Sequence, residues 1–160
     1  MIDEQFKQAM RRLASTIAIL TGGEGDGWTG IVATAVTSVT ADPPTLLAAV
    51  NRTTSLSPVL HENDRFCVNL LAKRHRDLVS VFSGAIKGRQ RFDTGEWQPS
   101  PSGLPVLCDA AASLECQITS RIDVGTHTLF IGEVVEIVNH PMIDPLIWMD
   151  GRFASAALGD

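Results

Sequence analysis

The sequence predicts a mainly β protein, an α+β arrangement in which an antiparallel sheet closes or nearly closes into a barrel with flanking helices. Three observations predict it. Strand-like stretches recur about seven times between turn signals, against two or three helical stretches. The helical stretches do not alternate regularly with the strands, which disfavours a doubly wound parallel sheet. The 160 residues, 44% hydrophobic and 19% charged, suit an ordinary globular core, so residues 1–160 are read as one domain.

The chain opens with Phe6, Met10, Leu13 and Ile17 at helical spacing, an amphipathic helix. Ser15 to Thr21 is β-rich, and Gly22, Gly23, Gly25 and Gly27 mark a hairpin loop. Trp28 to Val39 alternates small, β-branched and hydroxyl residues, a strand running into a polar loop that Pro43 and Pro44 interrupt. Thr45 to Val50 reads as a buried strand and Asn51 to Ser55 as a polar turn. Ser57 and Pro58 read as cap and first residue of a short helix through Glu62. Arg65 to Ala72 is a strand. Arg76 to Ser83 is helical, with Leu78, Val79 and Phe82 on one face. The proline-rich stretch Thr94 to Leu107 reads as a loop. Leu114, Cys116 and Ile118 alternate with polar residues in a half-buried strand. Leu129 to Val138 is a long strand with Phe130, Val134 and Val138 on one face, and Pro145 to Met149 a last short one before the Asp150-Gly151 turn.

Several function classes lack support. No apolar stretch approaches the ~20 residues of a membrane span, and the charged segment Met1 to Arg12 has no signal core. A net charge of −5 argues against a general nucleic-acid binder. Cys67, Cys108 and Cys116 form no disulfide or zinc pattern, and the four histidines have no metal-ligand spacing, so no metal is expected. Cys67 and Cys116 read as buried thiols, which makes the cytoplasm the default compartment. There is no phosphate-loop lysine motif, dinucleotide glycine fingerprint or nucleophile elbow.

Charge is uneven. Lys73, Arg74, Arg76, Lys87, Arg89 and Arg91 cluster against the single acid Asp77, whereas the rest of the chain holds seven basic and seventeen acidic residues. A concentrated basic segment suits a small anion such as a phosphate. On composition alone, a solvated helix and loop with surplus lysine and arginine is the favoured account. Ala33-Thr34-Ala35-Val36-Thr37-Ser38 and Arg52-Thr53-Thr54-Ser55 are two clusters of small and hydroxyl residues. Small residues let a flat ring approach, and hydroxyls bond phosphate or ring oxygens. With Lys87 and Arg91 they suggest one nucleotide-type cofactor site, against the ordinary preference of Thr and Ser for strands and turns. His127 opens a strand after Gly125, where a structural hydrogen bond is its commonest role. Trp148, Arg152 and Phe153 flank the last turn, as a border for a planar ligand or as a C-terminal staple.

The order of these pieces resembles the flavin reductase-like family, the small reductases that partner two-component flavin monooxygenases, such as the reductase of 4-hydroxyphenylacetate 3-monooxygenase. The likeness spans about Phe6 to Leu158. It rests on Phe6-Lys7-Gln8-Ala9-Met10, Gly30 to Thr40, Pro43-Pro44-Thr45, Asn51-Arg52 with Thr54-Ser55, and Phe66 to Leu71. Phe82 with Gly84, Arg91-Phe92, Gly125-Thr126-His127, Gly132-Glu133-Val134 and Trp148 to Phe153 complete it. Many relatives carry Thr where this chain has Val32.

The resemblance implies an FMN-binding split β-barrel that forms a homodimer, with FMN or FAD in a groove near the subunit interface. It implies that Ala33 to Ser38 run along the ring and ribityl chain. Arg52, Thr53, Thr54 and Ser55 face the ribityl–phosphate side, with Phe82, Lys87 and Arg91 nearby. His127 is the catalytic candidate beside the ring edge, and it borders the nicotinamide pocket with Trp148, Arg152 and Phe153. The activity implied is hydride transfer from NADH or NADPH to flavin, which then serves a partner monooxygenase. Two alternatives stay open: a flavin-dependent corrinoid (cobalt) reductase and a non-catalytic flavin-binding module.

Overall fold

A computed structural model describes all residues, Met1–Asp160. In chain order the elements are α1 (Ile2–Met10), β1 (Ser15–Thr16), β2 (Ala18–Gly22), β3 (Thr29–Ala33), β4 (Val36–Ala41), β5 (Pro44–Asn51), α2 (Leu56–Glu62), β6 (Arg65–Leu70) and α3 (Arg76–Ser80). They continue as β7 (Trp97–Pro99), β8 (Pro105–Leu107), β9 (Ala112–Val124), β10 (His127–Asn139), β11 (Ile147–Met149) and β12 (Arg152–Ala154). No helix is long and apolar enough to cross a membrane.

Seven strands form one antiparallel sheet in the order β3-β2-β6-β9-β10-β5-β4. Its two edges, β3 and β4, are consecutive in the chain and are joined only by Thr34-Ala35. The sheet therefore curls until its edges meet at that dipeptide without pairing, an antiparallel barrel with an open seam. A cluster of Leu20, Val50, Phe66, Val68 and Phe130 draws on strands from β2 to β5, which requires that curl. β2 is buried on both faces: Ala18 and Leu20 join this cluster, while Ile17 and Ile19 join a second core with Trp28, Phe82, Phe92 and Leu107. That is why the stretch reads as continuously apolar.

The antiparallel fold class is the one expected; several boundaries differ. The long strand Trp28 to Val39 is broken at Thr34-Ala35, because the barrel opens there. The first helix ends at Met10, none of its residues is buried, and Ile17 lies beyond it in the core. The second helix starts at Leu56 rather than at Pro58, with Ser55 and not Ser57 before it, and the Ser55 side chain makes no capping bond. The third helix ends at Ser80 and widens into a turn over Val81–Ala85. The expected loop before Leu107 contains a small hairpin, β7 with β8, whose Pro99 and Pro105 face each other beside its connecting loop. A two-stranded ribbon tolerates prolines there. Phe130, Val134 and Val138 do not share one environment. Register shifts at Ile131/Gly132 and Val134/Glu136 break the alternation, and Val138 is 61% exposed. The last strand is a hairpin: β11 pairs with β12 around Asp150 and Gly151, both at positive φ.

Candidate active site

A cavity of about 500 Å³ lies at the open seam. Ile31, Val32 and Ala33 of β3 and the linking Thr34-Ala35 form one wall. Small side chains keep that wall flat, so a ligand there meets main chain. The turn after β5 supplies Thr53, Thr54 and Ser55, and the segment after α3 supplies Phe82, Ser83 and Gly84. Gly84 has φ 110°, a conformation that other residues rarely adopt.

The turn is built by Asn51. Its side-chain oxygen accepts from the Thr53 N–H and the Thr53 hydroxyl, both at 2.9 Å, and the Thr54 hydroxyl donates to the Asn51 carbonyl at 2.8 Å. This is an Asx turn, which local side-chain bonding stabilises. Ser55 is turned away from its helix: its Oγ lies 2.8 Å from the Thr29 hydroxyl and 3.5 Å from Arg91 Nη1. Arg91 is half-buried and aimed by its donors, Nε to the Ile86 carbonyl at 2.8 Å and Nη1 to the Gly30 carbonyl at 2.9 Å. Its Nη2 makes no hydrogen bond within the protein. The Thr53 and Thr54 hydroxyls spend their protons on Asn51, so the donors free to meet an oxyanion here are Arg91 Nη2 and, when Thr29 donates to it, the Ser55 hydroxyl.

His127 also lines the cavity, directly across the sheet from Asn51. Its Nδ1 lies 2.8 Å from the Thr126 hydroxyl, which leaves Nε2 without a protein partner. Thr128 donates to Asp123 at 2.7 Å, and that bond, with Arg52 at 3.4 Å, holds the Asp123 carboxyl below the usual carboxylate range. With that pKa lowered on folding, the pairing is complete above the ordinary carboxylate range and is lost only as pH falls through the depressed value. Burial pushes the Cys67 thiol up and the Cys116 thiol up to about 12, so neither is a thiolate nucleophile near neutrality.

Ala33, Thr34, Ala35, Thr53, Thr54, Ser55, Phe82, Arg91 and His127 all line the one cavity. Val36, Thr37 and Ser38 line a neighbouring apolar cleft of about 590 Å³, because the chain crosses the seam at Thr34, which borders both. The Arg52 guanidinium turns to the Gly125 carbonyl and Asp123 instead of the cavity. Lys87 is exposed and lines neither space. Trp148, Arg152 and Phe153 belong to a separate three-stranded sheet with β1. There Trp148 meets Phe153 edge-on at 5.3 Å, Arg76 covers Phe153 at 4.4 Å, and Arg152 pairs with Asp150 at 3.2 Å. Sequence reasoning missed Asn51 and Gly84 as site residues. An Asn two residues before Thr53, and a lone Gly ending a helical stretch, were the available signals.

Residues 10–157 match the family described as flavin reductase like domain. The chain is 39% identical over 150 residues to FMN reductase (NADH) RutF 2 of Rhizobium rhizogenes, covering 94% of this chain and 87% of that one. Among solved structures, the NADH:FAD oxidoreductase SgcE6 of Streptomyces globisporus, in complex with NAD and FAD fragments, superposes with a TM-score of 0.89. It is 26% identical and covers 97% of this chain and 93% of its own. BorF, the flavin reductase component of a bacterial two-component tryptophan halogenase, superposes with a TM-score of 0.86 at 26% identity, over 96% of this chain and 97% of its own. With nearly its whole length matched and an antiparallel barrel split at Thr34-Ala35, this chain belongs to the flavin reductase-like family.

Proposed function

We propose that the chain is an NADH-dependent FMN reductase that hands reduced flavin to a partner oxygenase. One observation carries the reading: a single cavity brings together the Arg91 guanidinium with the Thr53–Ser55 turn, a wall of small residues at Ala33–Ala35, and His127. The residues fit the cofactor. About 500 Å³ falls within the roughly 300–1,000 Å³ of cofactor pockets. The Arg91 guanidinium, with the Ser55 hydroxyl beside it, suits a phosphate, and the Ala33–Ala35 wall admits a planar ring. The relative of 39% identity is named for FMN and NADH, and BorF is a component of a two-component system.

The flavin, when bound, supplies the hydride-accepting ring. The chain's residues bind and orient. Arg91 and the Thr53–Ser55 turn hold the phosphate, and main chain at Thr34-Ala35 faces the ring edge. His127 Nε2 orients the nicotinamide or holds a proton at the ring edge. Three unpaired cysteines support a reducing compartment, the cytoplasm. An anaerobic assay that crosses NADH and NADPH with FMN, FAD, riboflavin and a corrinoid tests the reading. NADH oxidation accelerated most by FMN is expected. Inertness of both nucleotides with every flavin sinks it, and a retained flavin with corrinoid as preferred acceptor replaces it with the cobalt-reductase reading.

The same reading includes a homodimer. Phe6, Met10 and Leu13 leave an apolar stripe uncovered, as do Val39 of β4 and Ile137 and Val138 of β10 around the apolar cleft. Exposed apolar side chains of this kind suit a self-complementary homodimer. Sedimentation equilibrium is expected to give twice the 17.2 kDa chain mass, and Val39→Asp to shift it toward monomer. A monomer at micromolar concentration excludes the dimer.

A further inference from the structure

We propose that Arg52 is a positioning residue that clamps the Thr53–Ser55 turn to the hairpin carrying His127, so that the turn and the histidine keep one fixed relation. The inference rests on the flavin reductase reading of this cavity. The ladder between β5 and β10 ends at the pair Asn51–His127. Beyond it the chain departs into two loops, Arg52–Ser55 on one side and Gly125–Thr126 on the other. Arg52 alone spans them. Its main-chain N–H donates to the Thr126 carbonyl at 2.9 Å. Its Nη2 donates to the Gly125 carbonyl, and its Nη1 lies 3.4 Å from Asp123 Oδ2. Asp123 is held from its other oxygen by the Thr128 hydroxyl at 2.7 Å. Thr126, gripped through its main chain, in turn holds His127 Nδ1 at 2.8 Å.

A guanidinium suits this task because its planar fork reaches a carbonyl and a carboxylate together; an ammonium on a flexible stem does not reproduce that. An exposed ion pair alone contributes little. Here the cation also satisfies a carbonyl at a glycine turn (Gly125, φ 56°) that no ladder bond covers. The same geometry turns Arg52 away from the cavity, in place of the ribityl contact that the resemblance implies.

The test uses the full chain as native protein, Arg52→Ala, Arg52→Lys, His127→Ala and the double Arg52→Ala/His127→Ala. Two readouts need no ligand: amide hydrogen exchange at Gly125–His127 and the NMR signal of the His127 ring. Arg52→Ala is expected to speed exchange at that turn and shift the ring signal, with Arg52→Lys restoring neither fully. It is expected to slow anaerobic FMN reduction by NADH about three- to tenfold, the cost of a loosened reacting geometry. In the His127→Ala background the same change is expected to cost less than about twofold, because Arg52 acts through His127. Unchanged exchange and an unmoved ring signal overturn the clamp. So does an equal slowing in both backgrounds, which identifies Arg52 as a direct ligand contact. If the native chain neither binds FMN nor oxidises NADH, the flavin reading falls while the two ligand-free readouts still decide the clamp. Asp123→Asn, which weakens one arm only, is expected to move both in the same direction by less, and covers poor folding of Arg52→Ala.

Discussion

Arg91→Ala is expected to weaken FMN binding about 10- to 100-fold and riboflavin binding less than about threefold, as read by flavin fluorescence titration. The two ligands differ only in the phosphate. The Arg91 guanidinium is held by the Gly30 carbonyl at 2.9 Å and the Ile86 carbonyl at 2.8 Å, so it is aimed before any ligand arrives. Half-burial shields it from the salt that mutes an exposed lysine. A hydrogen bond to a charged group contributes about 1.5–3 kcal/mol, which sets the expected range. Lys87→Ala serves as the control. Lys87 shares the same sequence cluster but is exposed and lines no part of the cavity, so its loss is expected to change either affinity less than about twofold. Equal losses for FMN and riboflavin on removing Arg91 mean that it acts only by bracing Gly30 and Ile86, and that the oxyanion end is misassigned.

That contrast shows where the sequence was legible. The hydroxyl turn and a cation were readable as phosphate chemistry, yet the six-cation cluster is one feature only along the chain. Lys73 pairs with Asp144 at 3.6 Å, Arg74 with Asp109 at 3.2 Å, and Arg76 covers Phe153, while Arg89 lies over Trp28 at 4.1 Å. Only Arg91 lines the cavity, because the Gly30 carbonyl aims it there and neighbours along the chain do not share that contact. The aromatic–Arg set at Trp148 to Phe153 likewise lies apart from this cavity within one chain. There Trp148 meets Phe153 across a hairpin while Arg152 turns to Asp150 and Arg76 covers Phe153, contacts that composition does not foretell. The fold class was readable because burial imposes a period of two on strands. The break at Thr34-Ala35 was not, since no Gly or Pro marks it. It exists because a closing sheet runs out of partners, a property of the whole barrel and of no local stretch.

The other strongly expected effect concerns how the barrel bends to bring His127 to the seam. Gly132→Ala is expected to lower the unfolding temperature by roughly 2–12 °C, from an overpacking cost of about 1–3 kcal/mol in a chain of this size. An added Cβ would stand 2.7 Å from Cys116 Cβ and 3.0 Å from Phe66 Cε1. Phe66 is fully buried and Cys116 Cβ cannot rotate away, so the strand itself has to move. Gly132 lies where the β9–β10 register slips: Ile131 faces Ser120 and Gly132 faces Ile118, with Thr119 left over and its hydroxyl bonded to the Ile131 carbonyl at 3.2 Å. Such a bulge bends a strand. Beyond it, β10 runs beside β5 to the pair His127–Asn51, so a bend at Gly132 directs the hairpin that carries His127. In sequence this glycine looks like a weak point in a strand. In the barrel it is the only residue type that lets β10 press onto Phe66 while it turns. Calorimetry on Gly132→Ala checks this, and an unchanged transition means that β10 does not bear on Phe66 and that the bend has another origin.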